Sequence, residues 1–166
     1  LRQGASHRDA SDSRLEAAQA RLAKLNESSG GESVADVRKA LQTCMQNSFG
    51  VFRSQQYMEK GVEQLAEIRE RVSKLHLADK SDAFNTARLE ALELGNLLEI
   101  AEATAISAME RKESRGAHAR DDFQDRDDAN WLCHSIYNPA TKSLGKRAVN
   151  FTPKSVETFE PKVRTY

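Results

Sequence analysis

The stretch Arg111-Lys112-Glu113-Ser114-Arg115-Gly116-Ala117-His118-Ala119-Arg120 gathers a histidine, a glycine and three guanidinium groups within ten residues. Arginine forks match the planar geometry of carboxylate and phosphate, and Gly116 permits a backbone turn that a residue with a Cβ resists. One chemistry open to such a loop is anion binding. The stronger reading is structural, because Asp121, Asp122, Asp125, Asp127 and Asp128 follow at once and supply enough acid to tie the arginines into a salt-bridged loop. The same aspartates suggest a hard cation, which takes oxygen ligands at short spacing. Asp122-Phe123-Gln124-Asp125-Arg126-Asp127-Asp128, however, carries an arginine in its middle and no glycine, so it does not fit an EF-hand and no metal site is expected.

Cys133 beside His134 has the composition of a nucleophile and its base. Neighbours on a strand point to opposite faces, so the two are not expected to meet. His7 and His76 stand in terminal or polar settings and are expected to be solvated. The chain contains no glycine-rich phosphate loop, no dinucleotide fingerprint and no nucleophile elbow. No catalytic, cofactor-binding or metal-binding residue is therefore expected in it.

The elements that would position this loop are mostly helical. Leu15, Ala18, Leu22 and Leu25 share one side of a helix over Ser13 to Asn26, with Ser13 and Glu16 spaced as a capping box. Gly30-Gly31 ends it. A second helix starts near Ser33 and carries Val34, Val37, Leu41, Cys44, Ser48 and Phe52 on its stripe. A third spans about Gln55 to Leu75 on Met58, Val62, Leu65, Ile68, Val72 and Leu75, with Gly61 costing it some stability. The fourth and longest keeps a three-four rhythm through Phe84, Ala87, Ala91, Leu94, Leu98, Ala101, Ala105 and Ala108. Leu89, Leu92, Leu97 and Ile100 widen its apolar surface, so it is expected to run through the middle of a bundle, with Gly95 admitting a close neighbour.

The rhythm fails after Met109, and Glu110 to Asp128 reads as a charged loop. Trp131, Cys133, Ser135 and Tyr137 then alternate with Leu132, His134 and Ile136, as in a strand. Asn138-Pro139 breaks this run, and Arg147 to Phe151 offers a second one, giving a hairpin with a long connection. Such a hairpin is marginal alone and is expected to lean on neighbouring structure. The expected fold is mainly α: an antiparallel three-helix bundle with a short N-terminal helix and a small C-terminal loop and β-hairpin extension. The expected division is 1–110 for the bundle and 111–166 for the extension.

A chain of 166 residues can bury a core without staples. Charged residues make up 30% of it and sum to zero, which argues against nucleic acid as a partner and against acidic membranes. Cys44 and Cys133 are far apart, which fits a reducing compartment better than a disulfide framework. No apolar run approaches the roughly 20 residues of a membrane span, and the polar opening Leu1 to Ser13 is unlike a signal peptide. The chain reads as soluble. Because it opens on Leu1 rather than Met, it is expected to be either a processed chain or a piece cut from a larger polypeptide.

Glu113-Ser114-Arg115-Gly116-Ala117-His118-Ala119-Arg120-Asp121-Asp122-Phe123, then Asp125-Arg126-Asp127-Asp128 and Asn130-Trp131-Leu132-Cys133-His134-Ser135, closely resembles the C-terminal region of succinate dehydrogenase flavoprotein subunits. The resemblance extends upstream through Val37-Arg38-Lys39-Ala40-Leu41-Gln42 and Ile68-Arg69-Glu70-Arg71, and downstream to Pro161-Lys162-Val163-Arg164-Thr165-Tyr166. Fumarate reductase flavoproteins and L-aspartate oxidases look similar around the Ser-Arg-Gly loop but less so through the Trp131 run. Gln124 stands where the family usually has proline, and Ala129 where an acid is common.

The resemblance implies that the bundle is spectrin-repeat-like, and that the parent oxidises succinate through FAD and passes electrons to an iron-sulfur subunit, with membrane anchor subunits completing the complex. That complex would place the chain peripherally on the cytoplasmic side of a bacterial inner membrane, with no direct membrane insertion. The flavin and dicarboxylate residues of that family lie upstream of this region, so the fragment itself is expected to be inactive and free of FAD. Arg115, His118 and Arg120 are the candidates for docking against the upstream FAD-binding domain. Two alternatives remain: a fumarate reductase parent, and a free-standing helical interaction module.

Overall fold

The computed structural model describes residues 11–159 and 162. His7 and the terminal run 163–166 lie outside the described residues. The chain is mainly helical, with one small antiparallel sheet: α1 (Asp12–Glu27), α2 (Val34–Phe49), α3 (Gln55–Val72), α4 (Thr86–Glu110), the short α5 (Asp128–Trp131), β1 (Cys133–Asn138) and β2 (Ser143–Ala148). It divides into two compact units, one of residues 1–44 and 64–98, the other of residues 45–63 and 99–166.

In the first unit, Val37, Leu41 and Cys44 of α2, Leu65 and Ile68 of α3 and Ala91, Leu94 and Leu98 of α4 are buried, joined by Leu75 and Leu77 from the segment after α3. Three- and four-residue steps put each set on one face of its helix, and removing those faces from water is the main stabilising term. Helix starts follow their caps. The Ser33 hydroxyl accepts from the Asp36 N–H, and the Asn85 side-chain oxygen accepts from the Arg88 N–H at 2.8 Å, so α4 begins at Thr86. That cap excludes Phe84, which was expected on the buried stripe. It precedes the helix at φ 53° and is fully exposed.

Four other expectations in this unit change. Ser13 does not cap α1, because the helix starts at Asp12 behind Ser11, and Ser13 lies inside it. None of the α1 residues is buried, so Leu15 and Leu22 remain in solvent, and α1 is tied instead by Arg21 Nη2 donating to the Leu92 carbonyl and to Asn96 Oδ1. It is this guanidinium, not a helix backbone, that occupies the space over Gly95. His76 is only half-exposed, between buried Leu75 and Leu77, with Nδ1 out of contact with water.

Along α4 the Ala91, Leu94, Leu98, Ala101, Ala105 and Ala108 stripe is buried, together with Glu102, while Leu89, Leu97 and Ile100 are exposed. The broad apolar surface expected to be covered on several sides is therefore open among the described residues. No helix there is long and apolar enough to cross a membrane.

In the second unit the C-terminal part of α2 and the N-terminal part of α3 approach closely at Gly61. A Cβ there would overlap Ser48 Cβ and the Phe49 ring, so the glycine serves packing at the expense of helix propensity. Helix α2 stops at Phe49 instead of reaching Phe52, because Arg53 Nε turns back and donates to the Phe49 and Gly50 carbonyls. Trp131 ends the helical turn α5, capped by Asp127, and is not part of a strand. The hairpin pairs Cys133 with Ala148 through Asn138 with Ser143. Its connection is the short run 139–142, in which Asn138 Oδ1 accepts from the Ala140 N–H, and the second strand is Ser143–Ala148 where Arg147 to Phe151 was expected. Cys133, Ser135 and Tyr137 are half-buried while His134 and Ile136 are exposed, the alternation read from the sequence.

Candidate functional site

The charged loop 111–127 lies wholly in the second unit. Its tip is a tight reversal in which the Arg115 N–H donates to the His118 carbonyl at 2.8 Å and the His118 N–H donates back at 3.0 Å. Gly116 occupies the first central position at φ +60°, the left-handed setting that a type II′ reversal requires.

Glu113 is the centre of the loop, and its side chain is completely buried. Its carboxylate accepts from Arg115 Nε at 2.8 Å and Arg115 Nη2 at 3.0 Å, from Arg111 Nη1, and from the Asp127 N–H at 2.9 Å. Burial pushes the Glu113 carboxyl up, but the Arg115, Asp127 and Arg111 donors outweigh it and hold the group below its ordinary value. Arg115 is held ionised by Glu113 and by Asp128 at 2.6 Å. Arg111 reaches further, donating to the Trp131 carbonyl at 2.9 Å and the Cys133 carbonyl at 2.7 Å, with its guanidinium 5.1 Å from the Trp131 ring centre. One buried carboxylate thus fastens both the loop tip and the root of the hairpin.

Arg120 joins two helix ends. It is 2% exposed, and its Nε and Nη2 form a fork to the Asp122 carboxylate, both at 2.7 Å. Nη1 donates to the Met109 carbonyl at 3.0 Å and to weaker partners at Ala108 and Arg111, while Nη2 also reaches Gln55 Oε1. Every donor of the guanidinium is used. Asp122 Oδ2 in turn accepts from the Gln55 N–H at the first turn of α3. The cation therefore sits at the C-terminus of α4 and the anion at the N-terminus of α3, where each opposes the local helix dipole. Arg120 and the Gln55 N–H hold the Asp122 carboxyl down at about 2.

His118 turns toward Arg53, whose Nη1 lies 2.8 Å from His118 Nδ1, while His118 Nε2 lies 3.1 Å from the Arg111 carbonyl. A guanidinium only donates and a carbonyl only accepts, so Nδ1 is the acceptor, Nε2 carries the hydrogen and the ring is neutral. Burial lowers the His118 pKa, and nearby Arg53, Arg120 and Arg111 lower it further against the opposing Arg111 carbonyl bond. Beside this pair an open cleft of about 370 Å³ is lined by Arg53, Thr104, Ser107, Ala108, Arg111, His118, Cys133, His134 and Ser135.

The three residues singled out in the loop do not converge on one ligand. Arg115 and His118 share the turn but face opposite partners, and Arg120 is enclosed. The acids that bind the arginines include Asp122 and Asp128 from the expected cluster, but the principal one, Glu113, was missed although it heads the same motif. Arg53 was missed for lack of any local signal, being 65 residues from His118. Among the described residues no group of three His, Cys, Asp or Glu side chains could hold a metal ion. Neither strand among the described residues leads directly into a helix, the arrangement that holds a dinucleotide pyrophosphate.

Residues 38–166 match the family described as fumarate reductase flavoprotein C-term. The chain is 44% identical over 158 residues to the succinate dehydrogenase flavoprotein subunit of Coxiella burnetii, an alignment that covers 95% of this chain and 27% of that protein. It is 39% identical over 149 residues to the fumarate reductase flavoprotein subunit of Haemophilus influenzae, covering 89% of this chain and 24% of the relative. A solved structure of a variant E. coli quinol fumarate reductase matches 92% of this chain and 27% of that chain at 34% identity, with a TM-score of 0.76. The chain thus spans about a quarter of the length of these relatives.

Proposed function

The chain belongs to the fumarate reductase flavoprotein C-terminal family, and we propose that it serves as the C-terminal structural domain of a succinate dehydrogenase flavoprotein subunit. The parent would oxidise succinate to fumarate on FAD and pass electrons to an iron-sulfur subunit, with anchor subunits holding the complex at the cytoplasmic side of a bacterial inner membrane. FAD would supply the two-electron acceptor and would be held by the upstream domain, not by this chain. The observation that carries the reading is the 44% identity to such a subunit along nearly the whole chain. A fumarate reductase parent is the second reading, favoured by the 39% identity to the Haemophilus influenzae subunit.

Within that parent the 1–110 segment would be the supporting bundle and the 111–166 segment the part that meets the FAD-binding domain. Arg115, His118 and Arg120 would act in docking by fixing the shape of the loop, since Glu113, Arg53 and Asp122 already engage their side chains. The test is Arg115→Gln in the full subunit. Reduced flavin content, lower thermal stability and slower succinate turnover are expected, and wild-type values for all three would refute the docking role. Adding FAD and succinate to the 166-residue chain alone should give neither coloured protein nor reduction of an electron acceptor.

A further inference from the structure

The cleft beside Arg53 is lined by Arg53, Ser107, Arg111, His118, His134 and Ser135, among others, and no acidic side chain lines it. Its two guanidinium groups differ. Arg111 is neutralised by Glu113. Arg53 donates only to neutral acceptors, the Phe49 and Gly50 carbonyls and His118 Nδ1, and no carboxylate pairs with it among the described residues. Its Nη2 makes no bond there. A half-buried cation facing only neutral acceptors retains a net attraction for an anion.

The surroundings supply further donors. Ser135 Oγ accepts from Arg111 Nη2 at 3.2 Å, which leaves its own hydrogen free to donate. Ser107 stands on α4 and His134 is exposed on β1 at the rim. His118, held by the Arg111 carbonyl on its far side, fixes the direction of the Arg53 head group. We propose that this cleft binds an oxyanion, a carboxylate or phosphate group, with Arg53 as principal donor and Ser107, His134 and Ser135 completing the site. The group arrives either as a small free anion or on an acidic side chain from the rest of the parent polypeptide. The proposal does not rest on the redox reading above, and its readouts are independent of flavin content.

The test uses the full polypeptide titrated calorimetrically with inorganic phosphate at constant ionic strength, as wild type, Arg53→Gln and His134→Glu. Arg53→Gln removes the donor but also the cap of α2. His134→Glu alters only an exposed rim position and places a negative charge at the mouth. Saturable binding of one phosphate per chain, weakened about tenfold by Arg53→Gln and severalfold by His134→Glu, supports the site with a free anion as occupant. No phosphate binding, together with a clearly lowered unfolding midpoint for His134→Glu, supports the site with a resident acidic side chain as occupant. Phosphate binding that His134→Glu leaves unchanged, or absent binding with an unchanged His134→Glu midpoint, overturns the proposal even if Arg53→Gln fails to fold.

Discussion

Replacing Glu113 with glutamine preserves side-chain volume and removes the single negative charge that two arginines share. Four N–H donors converge on that fully buried carboxylate, from Arg111, twice from Arg115, and from the Asp127 backbone. Glutamine offers one carbonyl oxygen and turns an amino group toward the remaining donors, so acceptors are lost and donors face each other. Arg115 keeps Asp128, but Arg111 keeps only neutral oxygens at Trp131, Cys133 and Ser135. Breaking a buried ion pair by removing one partner costs about 3–5 kcal/mol. The partial exposure of Arg115 and its Asp128 contact recover some of this, placing the expected loss near 3 kcal/mol. For a chain of this size that lowers the thermal midpoint by about 6–12 °C. The assay is urea and thermal unfolding followed by the fluorescence of Trp131, the single tryptophan, whose ring lies against Arg111 and Lys146. The exposed Glu110→Gln serves as control, with an expected change within about 0.5 kcal/mol. A loss below about 1 kcal/mol for Glu113→Gln, indistinguishable from the control, would show that this carboxylate does not organise the loop.

Acid should act through Asp122 and Glu113, whose folded pKa values lie below their unfolded ones. The stabilisation is present above about pH 4 and is lost as pH falls toward 2, and urea midpoints measured across that window should flatten in Asp122→Asn. His118 is also depressed, chiefly by burial, so its contribution is complete above the unfolded value of about 6.5 and declines as pH falls below it. His118→Gln should remove that part of the pH profile. Gly61→Ala should destabilise the chain by about 1–2 kcal/mol in urea unfolding, although helix propensity alone predicts a gain of nearly 1 kcal/mol, because the new Cβ meets Ser48 and Phe49. Leu89→Ser should change the stability of the 166-residue chain by no more than about 0.5 kcal/mol, since Leu89 is 61% exposed. A loss above about 2 kcal/mol would mean that this face is buried.

Periodicity revealed the helices because burial acts on one face at a time, and the spacing of Val37, Leu41 and Cys44, or of Leu94, Leu98 and Ala101, records that face directly. It overreached where apolar residues were counted without a neighbour to cover them. Leu89, Leu97 and Ile100 are as hydrophobic as the residues beside them, and only packing tells the two sets apart. Helix ends depended on single polar side chains that an apolar rhythm does not record. Phe52 continues the apolar spacing of α2, and nothing in that spacing announces that Arg53 will reclaim the Phe49 carbonyl, whereas the Asn85 cap that excludes Phe84 is a signal legible in the sequence. The short hairpin connection escaped notice because the alternation of Leu144 to Ala148 is weak, and the strand register is set by backbone pairing more than by an apolar face.

By itself the sequence determined that the chain is helical, that its reactive-looking side chains crowd into one charged loop, and which family that loop resembles. All of these depend on the order of residues along a few turns. Only the tertiary structure decided which charges meet. Glu113 gathers two arginines, Arg120 joins the ends of α3 and α4, and Arg53 is left facing neutral acceptors, because electrostatic pairing depends on distance in space and on burial, and neither is written in the spacing of the chain.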